Sequence, residues 1–297
     1  MPDTFFTAAP HWQWLVILYL FVGGISGGAG FLAGLLDLVG RPAERPLARL
    51  GYYIAFPAIV LGGILLTLDL TRPERFWHML IQSETGRLMI KWWSPISFGA
   101  WAITLFGATT FVAFLGSLAE EGILKAPAFR RLREGALGGL IAILNVVMGL
   151  FVAAYTGVLL TVTNRPIWAD TTLLGLLFLL SGVSTATAAM VLLALRRRAA
   201  STESLHRLSR LDTWIMALEL LTLVALVISL GQVARVWLSG WGVLLVVGVV
   251  LAGLLVPIAL HWRPRQPAIR NAVTAAALVL LGGFLLRVVI VLSSEGV

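Results

Sequence analysis

The chain has 297 residues, 59% of them hydrophobic and 12% charged, with mean hydropathy +0.94. An average soluble domain is about 25% charged, so this composition excludes a soluble globular protein and gives an all-α polytopic membrane helix bundle. The net charge of +8 lies in short clusters between apolar runs, as orientation signals do, so nucleic acid is not a partner.

Cysteine is absent, which excludes disulfides, cysteine-ligated iron–sulfur clusters and thiolate zinc sites within this chain. Eight runs are long enough to cross about 30 Å of hydrocarbon at roughly 20 residues each. In sequence order they cover approximately 12–38, 47–70, 96–119, 136–161, 172–195, 212–232, 239–261 and 271–293. The first is far longer than the core of a cleavable signal peptide, lacks a preceding basic region, and reads as a retained span. No connection is long or polar enough to hold a soluble domain, so residues 1–297 form one transmembrane domain. Pro57 and Pro257 fall within spans and predict kinks.

The first span contains GGISGGAG, residues 23–30, with glycines four apart that allow close helix approach. A phosphate loop would need a lysine and a strand–helix context, and neither is present. The same span ends at Asp37. The connections after spans one, three, five and seven carry fifteen basic residues: Arg41, Arg45, Arg49; Lys125, Arg130, Arg131, Arg133; Arg196, Arg197, Arg198, Arg207, Arg210; Arg263, Arg265, Arg270. The other side has six: Arg72, Arg75, Arg87, Lys91, Arg165 and Arg235. The positive-inside rule therefore predicts both termini on the outer, periplasmic side.

Four of those six outward basic residues fall in one connection, which begins after span two with LDLTRPERFWH, residues 68–78. Trp77, Trp92 and Trp93 accompany them. An interfacial aromatic belt with a short surface helix and a docking platform for an external partner both fit this composition. Asp69 is either a helix-end residue paired with Arg72 or Arg75, or a proton acceptor for a ligand bound beneath the loop.

The four histidines, His11, His78, His206 and His261, lie in loops or at span ends, which argues against bis-histidine haem inside the bilayer. Asn145, Glu219 and Arg287 are embedded, and Tyr19 and Tyr155 lie within two turns of the outer surface. Ionisable groups in lipid are costly and face a pathway or a partner, so Glu219 and Arg287 form either a proton relay or a structural ion pair.

WQWLVILYLFVGGISGGAG (12–30), LDLTRPERFWHML (68–80), WWSPISFGAW (92–101) and YTGVLLTVTNRPIW (155–168) together resemble the polysulfide reductase membrane-subunit family, also called NrfD-like. The resemblance covers about the first 170 residues, and the span count extends it over the whole sequence. It implies a quinone- or quinol-binding subunit of a respiratory oxidoreductase in the bacterial or archaeal cytoplasmic (inner) membrane. The ligand that the resemblance implies is menaquinone or ubiquinone, with no haem or other metal expected in this polypeptide. The partners implied are a ferredoxin-like iron–sulfur subunit and a molybdenum or tungsten catalytic subunit or a cytochrome.

The family's quinone pocket is formed by spans one to four, here approximately 12–161. The resemblance gives Tyr155 as the tyrosine of the fourth-span motif and Tyr19 at a position held by histidine in the polysulfide reductase version. Val16 stands where the family has an asparagine, which removes one expected hydrogen bond.

Depth alone brings Tyr19 and Tyr155 to one level, beside the connection bearing Asp69 and His78. A quinone needs an apolar slot with hydrogen-bond partners at its two oxygens, and these four residues are the expected site. Arg72, Arg75, Trp77, Trp92 and Trp93 are the expected partner-docking surface. Asp37, Asp69, Asn145, Glu219 and Arg287 are candidates for proton transfer across the bundle. The rival reading is a secondary transporter or proton-coupled channel using Glu219 and Arg287.

Overall fold

A computed structural model describes residue 12, residues 14–262 and residues 269–296. His11, Arg263 and Arg265 lie outside the described residues. Among the described residues, eight helices are long and apolar enough to span a membrane. They are α1 Trp14–Val39, α2 Arg45–Leu68, α3 Pro95–Glu120, α4 Gly135–Thr161, α5 Leu174–Arg197, α6 Thr202–Leu230, α7 Gly240–His261 and α8 Ile269–Leu292.

The expected sixth span begins at residue 212, whereas α6 begins at Thr202, where the Ser201 hydroxyl caps the backbone N–H of Ser204. The early turns are polar but amphipathic, with Ser204 and Leu208 buried, so a hydropathy window misses them although the helix packs. Pro57 lies inside a continuous α2. Pro257 follows a π-helical stretch, Leu244–Leu255, and the N–H of Val256 reaches back to the Leu251 carbonyl. That wider ladder leaves room for a residue that cannot donate.

Helix α1 is the hub, packing on α2, α4, α5 and α8. Its glycine stripe explains why. A Cβ on Gly27 would stand 2.6 Å from the Gly149 carbonyl oxygen of α4, and one on Gly28 would meet Gly182 and Ala186 of α5. Two glycine rows thus let two helices seat on α1 at backbone contact, as the spacing predicts.

One end of the bundle gathers the arginine-rich connections. There Arg133 donates from Nη2 to both Asp37 carboxylate oxygens, at 2.6 and 2.8 Å, and from Nη1 to Glu120 at 2.9 Å and Ser117 at 3.0 Å. The Tyr52 hydroxyl donates to Asp37 at 3.0 Å, and the guanidinium lies 5.1 Å from the Tyr52 ring centroid. This cluster locks α1, α2 and α3 to the entry of α4.

The opposite end carries the 69–94 connection. A 3-10 helix, Pro73–Met79, leads into a small turn closed by the antiparallel Ile81–Leu88 bridge, with Gly86 at φ +65°. The Met89 carbonyl accepts from Ser97 Oγ and from Trp101 Nε1, both at 3.1 Å, which ties the connection onto the first turns of α3.

Candidate functional site

At the end bearing the 69–94 connection, α1 to α4 enclose a cavity of about 700 Å³. Its walls are mostly aliphatic, from Leu20, Ile59, Ile64, Ile103 and Leu159, and its roof is Asp69, Phe76, Met79 and Leu80. Val60, Ile64, Ile96 and Thr104 line it while remaining exposed, so it opens sideways between α2 and α3. An apolar slot of this size with few polar groups fits a ring-and-tail ligand.

Tyr19 and Tyr155 both line the cavity, together with Asp69 and Thr156. Tyr155 is fixed on two sides: its ring stacks on Phe151 at 5.6 Å between centroids, and its hydroxyl donates to the Pro95 carbonyl at 2.7 Å. Gly99 makes room for it, since a Cβ there would collide with the Tyr155 ring and hydroxyl. The proton of Tyr155 is therefore committed to α3, and what its oxygen offers the cavity is a lone pair. A hydroxyl in this state can accept a hydrogen bond but has no second proton to donate.

Asp69 caps α2 at the cavity mouth and is exposed on its outer side. Partial desolvation holds its carboxyl above the usual carboxylate range. No ion pair joins it to Arg72 or Arg75 among the described residues. His78 is not among the cavity-lining residues; its ring lies 3.9 Å from that of Trp77, half-buried in the 3-10 helix. The 3-10 turn places it against Trp77 and away from the cavity lining, which residue spacing alone could not show. Val16 does not line the cavity; it is packed in an apolar core with Trp168, Phe178 and Leu286.

Arg72, Arg75, Trp77, Trp92 and Trp93 are all exposed on this end, with Trp92 and Trp93 edge to face at 5.6 Å. Trp92 keeps 79% of its surface accessible, which makes it a protruding feature beside the cavity mouth.

The embedded polar residues separate into two places. Asp37 belongs to the Arg133 cluster. Asn145 is buried in α4, its Nδ2 donating to the Ile141 carbonyl at 2.9 Å while its Oδ1 has no partner among the described residues. Glu219 and Arg287 lie together between α5, α6 and α8, and no direct ion pair joins them among the described residues. Both face Ser181 instead: Arg287 Nη1 donates to its hydroxyl at 2.9 Å and Glu219 sits beside it.

Sequence reading missed Asp212, which is 2% exposed inside α6, because the expected span began there and a charge at a span end reads as interfacial. It also missed Ser181 and Ser184. Their signal was the run SGVSTAT, 181–187, which puts hydroxyls at i, i+3 and i+4 on one face of α5.

Comparison with known proteins bears on the same architecture. Residues 4–295 match the family described as Polysulphide reductase, NrfD. The protein belongs to this family. It is 27% identical to Protein NrfD of Escherichia coli, over 96% of its own length and 95% of that relative's. The C subunit of polysulfide reductase from Wolinella succinogenes is 29% identical, over 84% of the present sequence and 82% of its own. An NrfD homolog of Haemophilus influenzae is 27% identical, over 99% and 97%. With eight apolar helices among the described residues, membership of the NrfD family makes this a multi-pass integral protein of the bacterial inner membrane.

Proposed function

We infer that the α1–α4 cavity binds a quinone or quinol, and that the protein is the membrane subunit of an oxidoreductase complex linked to the quinone pool. One relative is named as a subunit of polysulfide reductase, which supports a reductase assembly. The observation that carries the reading is the cavity itself: an aliphatic slot of about 700 Å³ opening between α2 and α3, with Tyr19, Tyr155 and Asp69 at its polar end. A lipid-dissolved substrate would enter from the side, tail last, and present its ring oxygens to these three groups.

The polarity of the site favours the reduced form. Tyr155 accepts from a quinol hydroxyl, because its own proton is held by Pro95. Asp69, when ionised, accepts from the second hydroxyl or takes its proton. Oxidation of a quinol releases two electrons and two protons; reduction of a quinone takes up the same. The polypeptide has no cysteine to ligate an iron–sulfur cluster, and in the reductase assembly inferred above the electrons pass to or from a partner. An iron–sulfur subunit docked on Trp77, Trp92, Trp93, Arg72 and Arg75 would sit directly over the cavity mouth, with a catalytic subunit beyond it.

Titration of the purified complex with a quinol analogue tests this reading. Saturable binding that is lost when Gly63 is replaced by a bulky residue supports it. Binding unaffected by filling the cavity overturns it.

A further inference from the structure

The second half of the bundle holds buried acids that the cavity does not use. Asp212 in α6 is 2% exposed and Glu219, two turns further along the same helix, is 3% exposed. Seven residues of α-helix separate them by about 10 Å along the axis. Ser184 of α5 stands beside Asp212, and Ser181, one turn away, stands beside Glu219.

Asp212 Oδ1, the Ser184 hydroxyl and Arg287 Nε and Nη2 are buried with no hydrogen-bond partner among the described residues. The Arg287 guanidinium lies against the Phe21 and Phe178 rings, 5.6 and 5.1 Å from their centroids. Buried polar atoms are otherwise almost always satisfied, so the spare hydrogen-bonding capacity where Asp212 and Ser184 stand side by side marks a position for internal water.

The two ends of this line are defined. Towards the arginine-rich end, Asp212 lines a small cavity of about 10 Å³ with Thr187, Ser209 and His261, close to the volume of one water. His261 Nδ1 is 3.2 Å from the Thr213 hydroxyl and terminates α7 at that end. At the other end, Arg287 lies against Gly24 of α1, where a Cβ would come within 2.9 Å of Nη2. Gly23, the preceding residue, lines the α1–α4 cavity.

We propose that Asp212, Ser184, Glu219 and Ser181 form a hydrated proton path between the arginine-rich end of the bundle and the substrate cavity, with Arg287 as its positively charged terminus at the Gly23–Gly24 wall. This rests on the cavity being the quinone site. Protons pass singly, an O–H bond forming at each acceptor as one breaks at the donor, and no electrons move along the line. Carboxyl groups are the stations and the serine hydroxyls and waters relay between them. Arg287 balances the charge of Glu219 when that group is ionised. Asp37 is not on the path, because Arg133 holds both its oxygens.

The test uses the intact complex in proteoliposomes, with proton exchange at the arginine-rich side followed by an impermeant pH dye during quinone-linked turnover. Asp212→Asn and Glu219→Gln are expected to lower that exchange at least tenfold, with binding of a quinol analogue within twofold of wild type. Asp212→Glu should restore it, and Ser184→Ala should slow it with little structural disturbance. Unchanged proton exchange in Asp212→Asn and Glu219→Gln overturns the path. If the wild-type complex binds no quinol analogue, the cavity reading falls separately. The path is then judged by passive proton flux under an imposed potential: flux lost in the two variants retains it, and flux equal to wild type overturns it.

Discussion

Replacing Tyr155 with Phe separates the two hydrogen-bonding roles of one hydroxyl. The ring should stay in place, because Phe151 stacks on it and Gly99 makes room for it. The Pro95 carbonyl loses the 2.7 Å bond, but as a first-turn carbonyl of α3 it retains the ladder bond of its own helix. Assembly of the complex should therefore be unchanged.

What the cavity loses is an acceptor. A net hydrogen bond contributes about 0.5–1.5 kcal/mol, or roughly 2- to 12-fold in Kd. The loss should fall on the quinol, which can donate to Tyr155, and spare the quinone, which has only acceptors to offer. Displacement titrations of a fluorescent analogue from the complex in nanodiscs, under reducing and oxidising conditions, measure the two forms separately. Equal weakening of quinol and quinone, or none of either, would refute the assignment of Tyr155 as acceptor.

Gly63 lines the cavity with nothing within 4 Å of a Cβ built on it, so Gly63→Leu should assemble normally yet reduce analogue affinity more than tenfold, read in the same titration. Asp69 accepts a proton only when ionised, and desolvation raises its pKa. Quinol oxidation should therefore rise with pH through a value above the usual carboxylate range, and Asp69→Asn should flatten that limb in a pH–rate profile. The same raised pKa has a stability sign: its contribution is present below the unfolded value and lost as pH climbs through the folded one.

Arg133→Met would leave Asp37 and Glu120 without their shared cation, a loss of about 3–5 kcal/mol for a buried charge stripped of its partner. It should lower the thermal stability of the detergent-solubilised protein, and Asp37→Asn should lower it less. Trp92→Ala together with Trp93→Ala should release an external subunit during purification while leaving analogue affinity intact, because neither side chain lines the cavity.

The sequence by itself determined the class of molecule and most of its outline. A bilayer accepts only segments that satisfy their own backbone, so apolar length alone located the spans, and seven of the eight helices begin within about three residues of the expected positions. Glycine spacing in 23–30 announced backbone contact for the same kind of reason, since only residues without a Cβ permit it. The level shared by Tyr19 and Tyr155 was also legible, because rise per residue fixes depth along a helix.

Depth is not direction, and direction belonged to the tertiary structure. The 3-10 turn at Pro73–Met79 sets His78 against Trp77 instead of into the cavity. The Pro95 carbonyl, contributed by a different helix, decides that Tyr155 offers a lone pair and not a proton. Asp212 became a buried acid because α6 starts ten residues before the apolar run does, on turns whose burial depends on helices far away in sequence. Whether Asp37 is a free carboxylate or the anchor of Arg133 is likewise a matter of which connection folds back over it. Hydropathy reports the solvent each segment prefers; the partners of a polar group are set only when helices distant in sequence meet.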